Sequence, residues 1–253
     1  MRAARVYRTP AVVLRRVRLG EMDMILTLFT AYHGKIRAVG KGIRRPGSRS
    51  GGHLDIPMHS TLQIARGRSL DIVTQSETID AFVALRDDLT RTALAFEVIE
   101  LIDRVTEEGH EDRALFEFLV ATLHRVADDP DPDLAVRFWE MGVLERAGYR
   151  PNLHTCVQCD HPLERVDSFC SATAGGILCP TCGARVPGAR PIGANAFAMA
   201  RLLQNGDYAT ACRVRRDEDL RRDLEAFLRA QIAHVLDRNL ASTAFLNRVR
   251  SMT

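Results

Sequence analysis

The residues best suited to chemistry in this chain are thiols. Among six cysteines, Cys156-Val-Gln-Cys159 and Cys179-Pro-Thr-Cys182 form two C-x2-C pairs separated by 19 residues. Each pair can present two thiolates from one tight knuckle, and the four together fit the spacing of a tetrahedral zinc site. Gly183 follows the second pair, where a left-handed turn residue would help. Four thiolates saturate the ion and leave no position for water or substrate, so the expected Zn2+ is structural. Two disulfides are the alternative, opposed by the lack of a secretion signal and by a large non-cysteine core. A redox pair would need a βαβ context that the sequence lacks. Cys170 lies between the pairs, with His154 and His161 nearby as nitrogen donors; the histidines read as exposed loop residues and Cys212 as an ordinary buried thiol.

A second group of residues is cationic. The stretch 34–52, GKIRAVGKGIRRPGSRSGG, carries Lys35, Arg37, Lys41, Arg44, Arg45 and Arg49 and then dissolves into Pro and Gly. A cationic strand running into a cationic loop suits a surface that tracks a phosphate backbone, whereas a charge run by itself reads as a solvated loop. The charge distribution favours the first reading. Residues 1–80 hold 14 Lys and Arg against 6 Asp and Glu, and the remainder holds 21 against 26, so a net +3 conceals a basic N-terminal third. Such asymmetry points to a polyanion on one side and to a protein partner on the other.

The elements that must position these groups follow from periodicity. Ala11–Leu19, Met24–Tyr32, Lys35–Ile43, Thr61–Ala65 and Leu70–Thr78 read as five short strands, for which a five-stranded OB-fold barrel is the economical closure. Alternation places Lys35, Arg37 and Lys41 on one face of the third strand, with Ile36, Ala38 and Gly40 on the other. After Phe82 the period becomes helical. Leu94, Val98, Leu101, Ile102 and Val105 form one stripe, and Leu115, Leu119, Thr122, Leu123 and Val126 a second. Asp131-Pro132 supplies a cap and a first-turn proline for a third helix lined by Leu134, Phe138, Met141 and Leu144, which suggests a bundle. Residues 195–204 and the stripe Leu220, Leu224, Phe227, Leu228, Ile232, Val235 and Leu236 are helical again, with a last short helix expected over 240–249. The fold class is therefore multidomain α+β. It comprises an N-terminal OB-fold barrel over 1–80, an α-helical bundle over 81–151, a zinc-knuckle insertion built on the four paired cysteines over 152–191, and C-terminal helices over 192–253 that pack on the bundle.

No phosphate loop, zincin, nucleophile elbow or dinucleotide fingerprint occurs. Gly40-Lys41-Gly42 lacks the spacing of a phosphate loop, and Asp87-Asp88, Glu107-Glu108 and Asp128-Asp129 read as helix-end charges and caps. No apolar run approaches the roughly 18 residues of a bilayer span, and no signal peptide is visible. A cytoplasmic protein, not an enzyme and without a membrane partner, is expected. A metal-dependent nuclease is the competing class, separated by whether DNA incubated with magnesium is cleaved.

Several short words in order carry a resemblance: Val12-Val13-Leu14, Leu19-Gly20-Glu21-Met22-Asp23, Leu28-Phe29-Thr30, Gly34-Lys35-Ile36 and the run from Ala38 to Arg45. Gly148-Tyr149-Arg150-Pro151, the two cysteine pairs and Gly175-Gly176 continue it. Over essentially its whole length the chain resembles the RecO family of DNA repair proteins. The resemblance implies binding of single- and double-stranded DNA, annealing of complementary strands, and help in loading RecA onto strands coated by single-strand-binding protein. It further implies RecR and the acidic tail of single-strand-binding protein as partners, and association with the nucleoid. Arg15, Arg16, Arg18, Lys35, Arg37, Lys41, Arg44, Arg45, Arg49, Arg66 and Arg68 are the expected DNA-binding residues, and Cys156, Cys159, Cys179 and Cys182 the metal ligands. Arg104, Arg113, Arg125 and Arg137, beside apolar stripes, are expected to receive the tail peptide. Asp55-Ile56-Pro57-Met58-His59 has no aromatic residue of the stacking kind, so base stacking is not expected from that segment.

Overall fold

The structure is a computed structural model, and it describes residues 5–48, 52–237 and 240–252. The chain divides into two compact units, 1–129 with 245–253, and 130–244.

The first unit begins with five strands, β1 (Val6–Leu19), β2 (Asp23–Thr30), β3 (Gly34–Gly40), β4 (His59–Ala65) and β5 (Asp71–Asp80). They close a barrel in the order β1-β2-β3-β5-β4, the OB arrangement. β1 is long enough to serve both halves: Val6–Val12 pair antiparallel with β4, and Ala11–Leu19 with β2. Closure between β3 and β5 is parallel and short, Ala38 to Asp71, Val39 to Ile72 and Gly40 to Val73. Ala11, Val13, Leu26, Leu28, Ala38, Leu54, Leu62 and Ile64 fill the interior. Burying each large member of such a core is worth about 1.5–3 kcal/mol, so closure is driven by the inward alternate residues.

A short helix α1 (Ala84–Asp87) leads into α2 (Leu89–Val105) and α3 (Arg113–Asp128). Asp88 caps α2, accepting from the Thr90 and Arg91 amides at 2.8 and 3.0 Å, and Asp112 caps α3 through the Leu115 amide at 2.8 Å. Asp88 is among the helix-end acids expected to cap, whereas Asp112 is not. α2 and α3 cover the barrel's outer residues: Phe116 of α3 meets Phe29 at 6.2 Å and His59 at 5.7 Å between ring centroids.

The second unit holds α4 (Pro132–Arg146), a small sheet of β6 (Ser168–Ser171), β7 (Gly176–Leu178) and β8 (Arg190–Ile192), the turn of helix α5 (Pro180–Gly183), then α6 (Ala194–Gln204), α7 (Tyr208–Arg213) and α8 (Glu218–Leu236). The chain ends in α9 (Ala241–Arg250). Asp131 caps α4 as expected, accepting from the Leu134 amide at 3.2 Å, and also receives Arg216 and Arg221 at 2.5 and 2.6 Å. Those two guanidiniums hold its carboxyl below the ordinary carboxylate range even though burial acts in the opposite direction. α4, α6 and α8 pack together around the buried Trp139, Phe197 and Phe227.

Candidate nucleic-acid interface and metal centre

Strand register decides where the expected cations go. Arg15, Thr27 and Arg37 stand side by side on β1, β2 and β3, and Val17, Ile25 and Val39 form the next row but one on the same outer face. One irregularity produces this arrangement. Val13 pairs with Leu28 while Arg15 pairs with Thr27, so Leu14 is an extra residue in β1. Beyond it the strand's alternation is reversed: Arg15 faces outward, whereas Arg16 pairs with the core residue Leu26 and Arg18 with Met24. Val17 and Leu19 are left 50% and 40% exposed. The outer strip is therefore apolar and cationic together. The ten expected cations among the described residues do not share one face.

Their engagements differ as well. Lys35 is tied into the protein: its ammonium donates to the Asp103 carbonyl at 2.6 Å and lies 3.4 Å from the Asp103 carboxylate, with the side chain 12% exposed. Arg15 reaches the same carboxylate. The third-strand face is thus wet at Arg37 and covered by α2 at Lys35, because α2 lies over that end of the barrel. Arg16 binds Asp55. Arg66 lies over the Tyr7 ring at 5.1 Å. Arg18, Arg37, Lys41, Arg45 and Arg68 are exposed and have no side-chain partner among the described residues.

β3 ends at Gly40, so Lys41 belongs to the following turn and not to the strand. Gly42, with φ of 63°, donates its amide to Asp23 at 2.7 Å. Arg44 donates to the Glu21 carbonyl at 2.7 Å, and further turns link Arg45 to Gly42 and Ser48 to Arg45. Arg44 and Arg45 thus stand on hydrogen-bonded turns anchored to the β1–β2 connection. Arg49 lies outside the described residues.

The two C-x2-C pairs come together. The sulfurs of Cys156, Cys159, Cys179 and Cys182 all lie within 4.8 Å of one another, and Cys159 and Cys179 Sγ are 4.0 Å apart. A tetrahedral zinc with bonds near 2.3 Å needs sulfurs about 3.8 Å apart, so the set can hold a metal such as zinc with small adjustments. Backbone donors favour thiolate at this site. Burial works against the Cys156 anion, but the amides of Cys179, Gln158 and Cys159 bring its pKa down to about 6. Cys182, sharing hydrogen bonds with Cys179 and Cys159, is pushed up to about 12. Crowded sulfurs of this kind ionise together only with a cation among them.

The knuckle backbone explains this convergence. Asn152 Oδ1 accepts from the His154 and Thr155 amides at 3.0 and 3.1 Å, and Asp160 takes the left-handed conformation with φ of 57° after the first pair. The left-handed residue is therefore Asp160; Gly183 has no positive φ. Gly183 is needed for space, since a Cβ there would lie 2.3 Å from the Phe169 ring. Arg201 of α6 supports the first knuckle by donating to the Leu153 and Leu163 carbonyls at 2.7 and 2.9 Å. Cys170 sits outside the cluster on β6, where burial pushes its thiol up to about 11. Cys212 is exposed, not buried, because it falls on the outer side of the short α7.

Of the cations expected at the peptide, periodicity misplaced Arg137. Arg137 is 1% exposed and paired with Glu140 at 2.7 Å, so it faces the interior. Arg104 pairs with Glu100 at 3.2 Å and Arg113 with Glu117 at 2.8 Å. Asp103 was missed entirely, since one acid on a helix carries no sequence signal of its partners on two strands.

Relatives fit this architecture. Residues 1–82 match the family model described as Recombination protein O N terminal, and residues 86–244 that described as Recombination protein O C terminal. The chain is 38% identical to the DNA repair protein RecO of a Roseiflexus species, over 98% of this chain and 87% of that one. It is 31% identical to the DNA repair protein RecO of Dehalococcoides mccartyi over 96% of each, and 32% identical to that of Symbiobacterium thermophilum over 97% of this chain and 98% of the other. These descriptions imply no catalytic activity, and no described helix is long and apolar enough to cross a membrane. The closed barrel, the thiol cluster and the full-length similarity place the chain in the RecO family of DNA recombination and repair proteins.

Proposed function

We propose that the outer face of β1, β2 and β3 binds DNA strands and anneals complementary ones. The observation that carries this reading is the row Arg15, Thr27, Arg37 beside the row Val17, Ile25, Val39, with Lys41 and Arg68 free at its margins. Cations neutralise phosphates on two strands and lower their repulsion, and exposed hydrocarbon accepts bases until pairing draws them away. No bond to DNA is made or broken. Family membership supports the rest: binding of single- and double-stranded DNA, loading of RecA onto strands coated by single-strand-binding protein, and action in the cytoplasm at the nucleoid with RecR and the tail of single-strand-binding protein. Residues 1–80 are the DNA-binding domain, and Cys156, Cys159, Cys179 and Cys182 hold a structural zinc.

Annealing of complementary oligonucleotides over a salt series, with and without single-strand-binding protein, tests the reading. Wild-type protein accelerates annealing, most strongly at low salt. Arg37→Ala with Lys41→Ala slows it and flattens the salt dependence by about 1.4 in log–log slope for single strands, about 0.7 per lost phosphate contact. A folded double variant that anneals like wild type would refute the assignment.

A further inference from the structure

At the β2–β3 turn end of the barrel lies a cavity of about 310 Å³. Its walls include Tyr7, Tyr32, His33, Ile36, Arg66 and Glu111, all within the first unit. The aromatic side is fixed in advance. The Tyr7 hydroxyl donates to Asp71 at 2.7 Å, and Asp71 also accepts from the Gly67 amide at 3.2 Å. The His33 ring meets Tyr7 edge-on at 4.2 Å between centroids. Two close backbone approaches set the frame. A Cβ on Gly34 would lie 2.0 Å from the His110 carbonyl oxygen, and one on Gly67 1.8 Å from that of Leu70. Burial and the nearby Arg66 keep the His33 imidazole below its ordinary pKa, so at neutral pH the ring is an uncharged wall.

Charge is distributed unevenly around the opening. Arg66, over the Tyr7 ring, and Arg68 stand on the β4–β5 connection, and Glu107, Glu108 and Glu111 are exposed on the α2–α3 connection, where Arg113 of α3 lies over the Tyr32 ring at 5.7 Å with its charge paired to Glu117. Phosphate is drawn to the first side and repelled from the second, whereas a neutral planar group can enter between them. The cationic row leads to the same place: Arg37 precedes Ala38, whose register partner is Asp71 at the end of the β4–β5 connection. Base faces stack on tyrosine without regard to sequence, and this volume is ample for one ring system.

Resting on the DNA-binding reading above, we propose that this cavity takes one unstacked nucleobase of a single strand, held against Tyr7 and Tyr32, while Arg66 and Arg68 hold the flanking phosphates. Double-stranded DNA keeps its bases stacked and cannot fill the cavity, so the site gives the protein a preference for single strands.

The test compares a labelled single strand with an abasic strand of equal length and charge. Tyr32, 43% exposed, can be replaced without opening the core. Tyr32→Ala is expected to weaken binding of the base-bearing strand roughly tenfold, with the abasic strand unaffected and Tyr32→Phe restoring affinity. A single 2-aminopurine in the strand should be quenched by wild type and less so by Tyr32→Ala. Equal binding of the base-bearing strand by wild type and Tyr32→Ala, with no difference in quenching, overturns the base cavity and leaves salt-dependent DNA binding intact. Failure of wild type to bind either strand at low salt overturns both.

Discussion

Asp103 joins cations from two strands, Arg15 of β1 and Lys35 of β3, so the acid on α2 restrains part of the surface proposed to meet DNA. Replacing it by asparagine keeps the shape and removes the charge. The two cations should respond differently. Arg15 is more than half exposed and becomes free, whereas the Lys35 ammonium still donates to the Asp103 carbonyl at 2.6 Å and stays covered. Each newly neutralised phosphate steepens the log–log salt dependence of single-strand binding by about 0.7, so Asp103→Asn should steepen it by about 0.7 and at most about 1.4. From about 50 to about 200 mM salt, one added contact means an extra two- to threefold loss of affinity, roughly, with tighter binding than wild type at the low end. Removing the counter-charge from a largely covered lysine should also cost about 1–2 kcal/mol of stability, measured by urea unfolding. Fluorescence anisotropy across a salt series reads the slope. An unchanged slope in a folded variant would show that Arg15 does not become a phosphate partner, and the restraint argument would fall.

Metal analysis should find one zinc per chain, reduced to traces by Cys179→Ser, and chelation should lower the unfolding midpoint of residues 130–244 while leaving the barrel folded. A second metal, or an unchanged midpoint after its removal, would contradict a structural centre. Burial depresses the imidazole of His59, 8% exposed and near Asp80 and His124, below its ordinary 6.5. Its contribution to stability is complete above pH 6.5 and is lost as pH falls from there towards the lower folded value. His59→Leu should therefore weaken the decline in urea midpoint between about pH 7 and pH 5, leaving the share due to His33; an equally steep decline would assign the loss elsewhere.

Much of this protein was legible because its signals are local. Strand alternation, Asp caps and C-x2-C spacing each act within a few residues, and β2, α4 and the thiol cluster follow from them. Partner choice is different. The stripes of α2, α3 and α4 say that each helix buries a face, but α4 packs with α6 and α8 while α2 and α3 belong with the barrel. Arg137 reads as a surface cation because periodicity does not reveal that Glu140 shares its interior. Lys35 and Arg37 lie on one strand face, yet α2 covers one and spares the other. Gly183 was legible as a required glycine, though for a different reason, since Phe169 comes from a strand that sequence reading did not pair with it. The base cavity draws on β1, the β2–β3 turn, the β4–β5 connection and the α2–α3 connection, and no single stretch announces it.

The extra residue at Leu14 makes the barrel sensitive to a change of reading frame along one strand. Were Leu14 instead drawn into the ladder opposite Thr27, with no residue removed, period-two alternation would turn Arg16 and Arg18 outward and carry Arg15, Val17 and Leu19 towards the interior. The face would gain one cation and lose Val17 and Leu19, keeping Ile25 and Val39. One bulge thus decides which set of side chains on β1 meets solvent, with no substitution in either set.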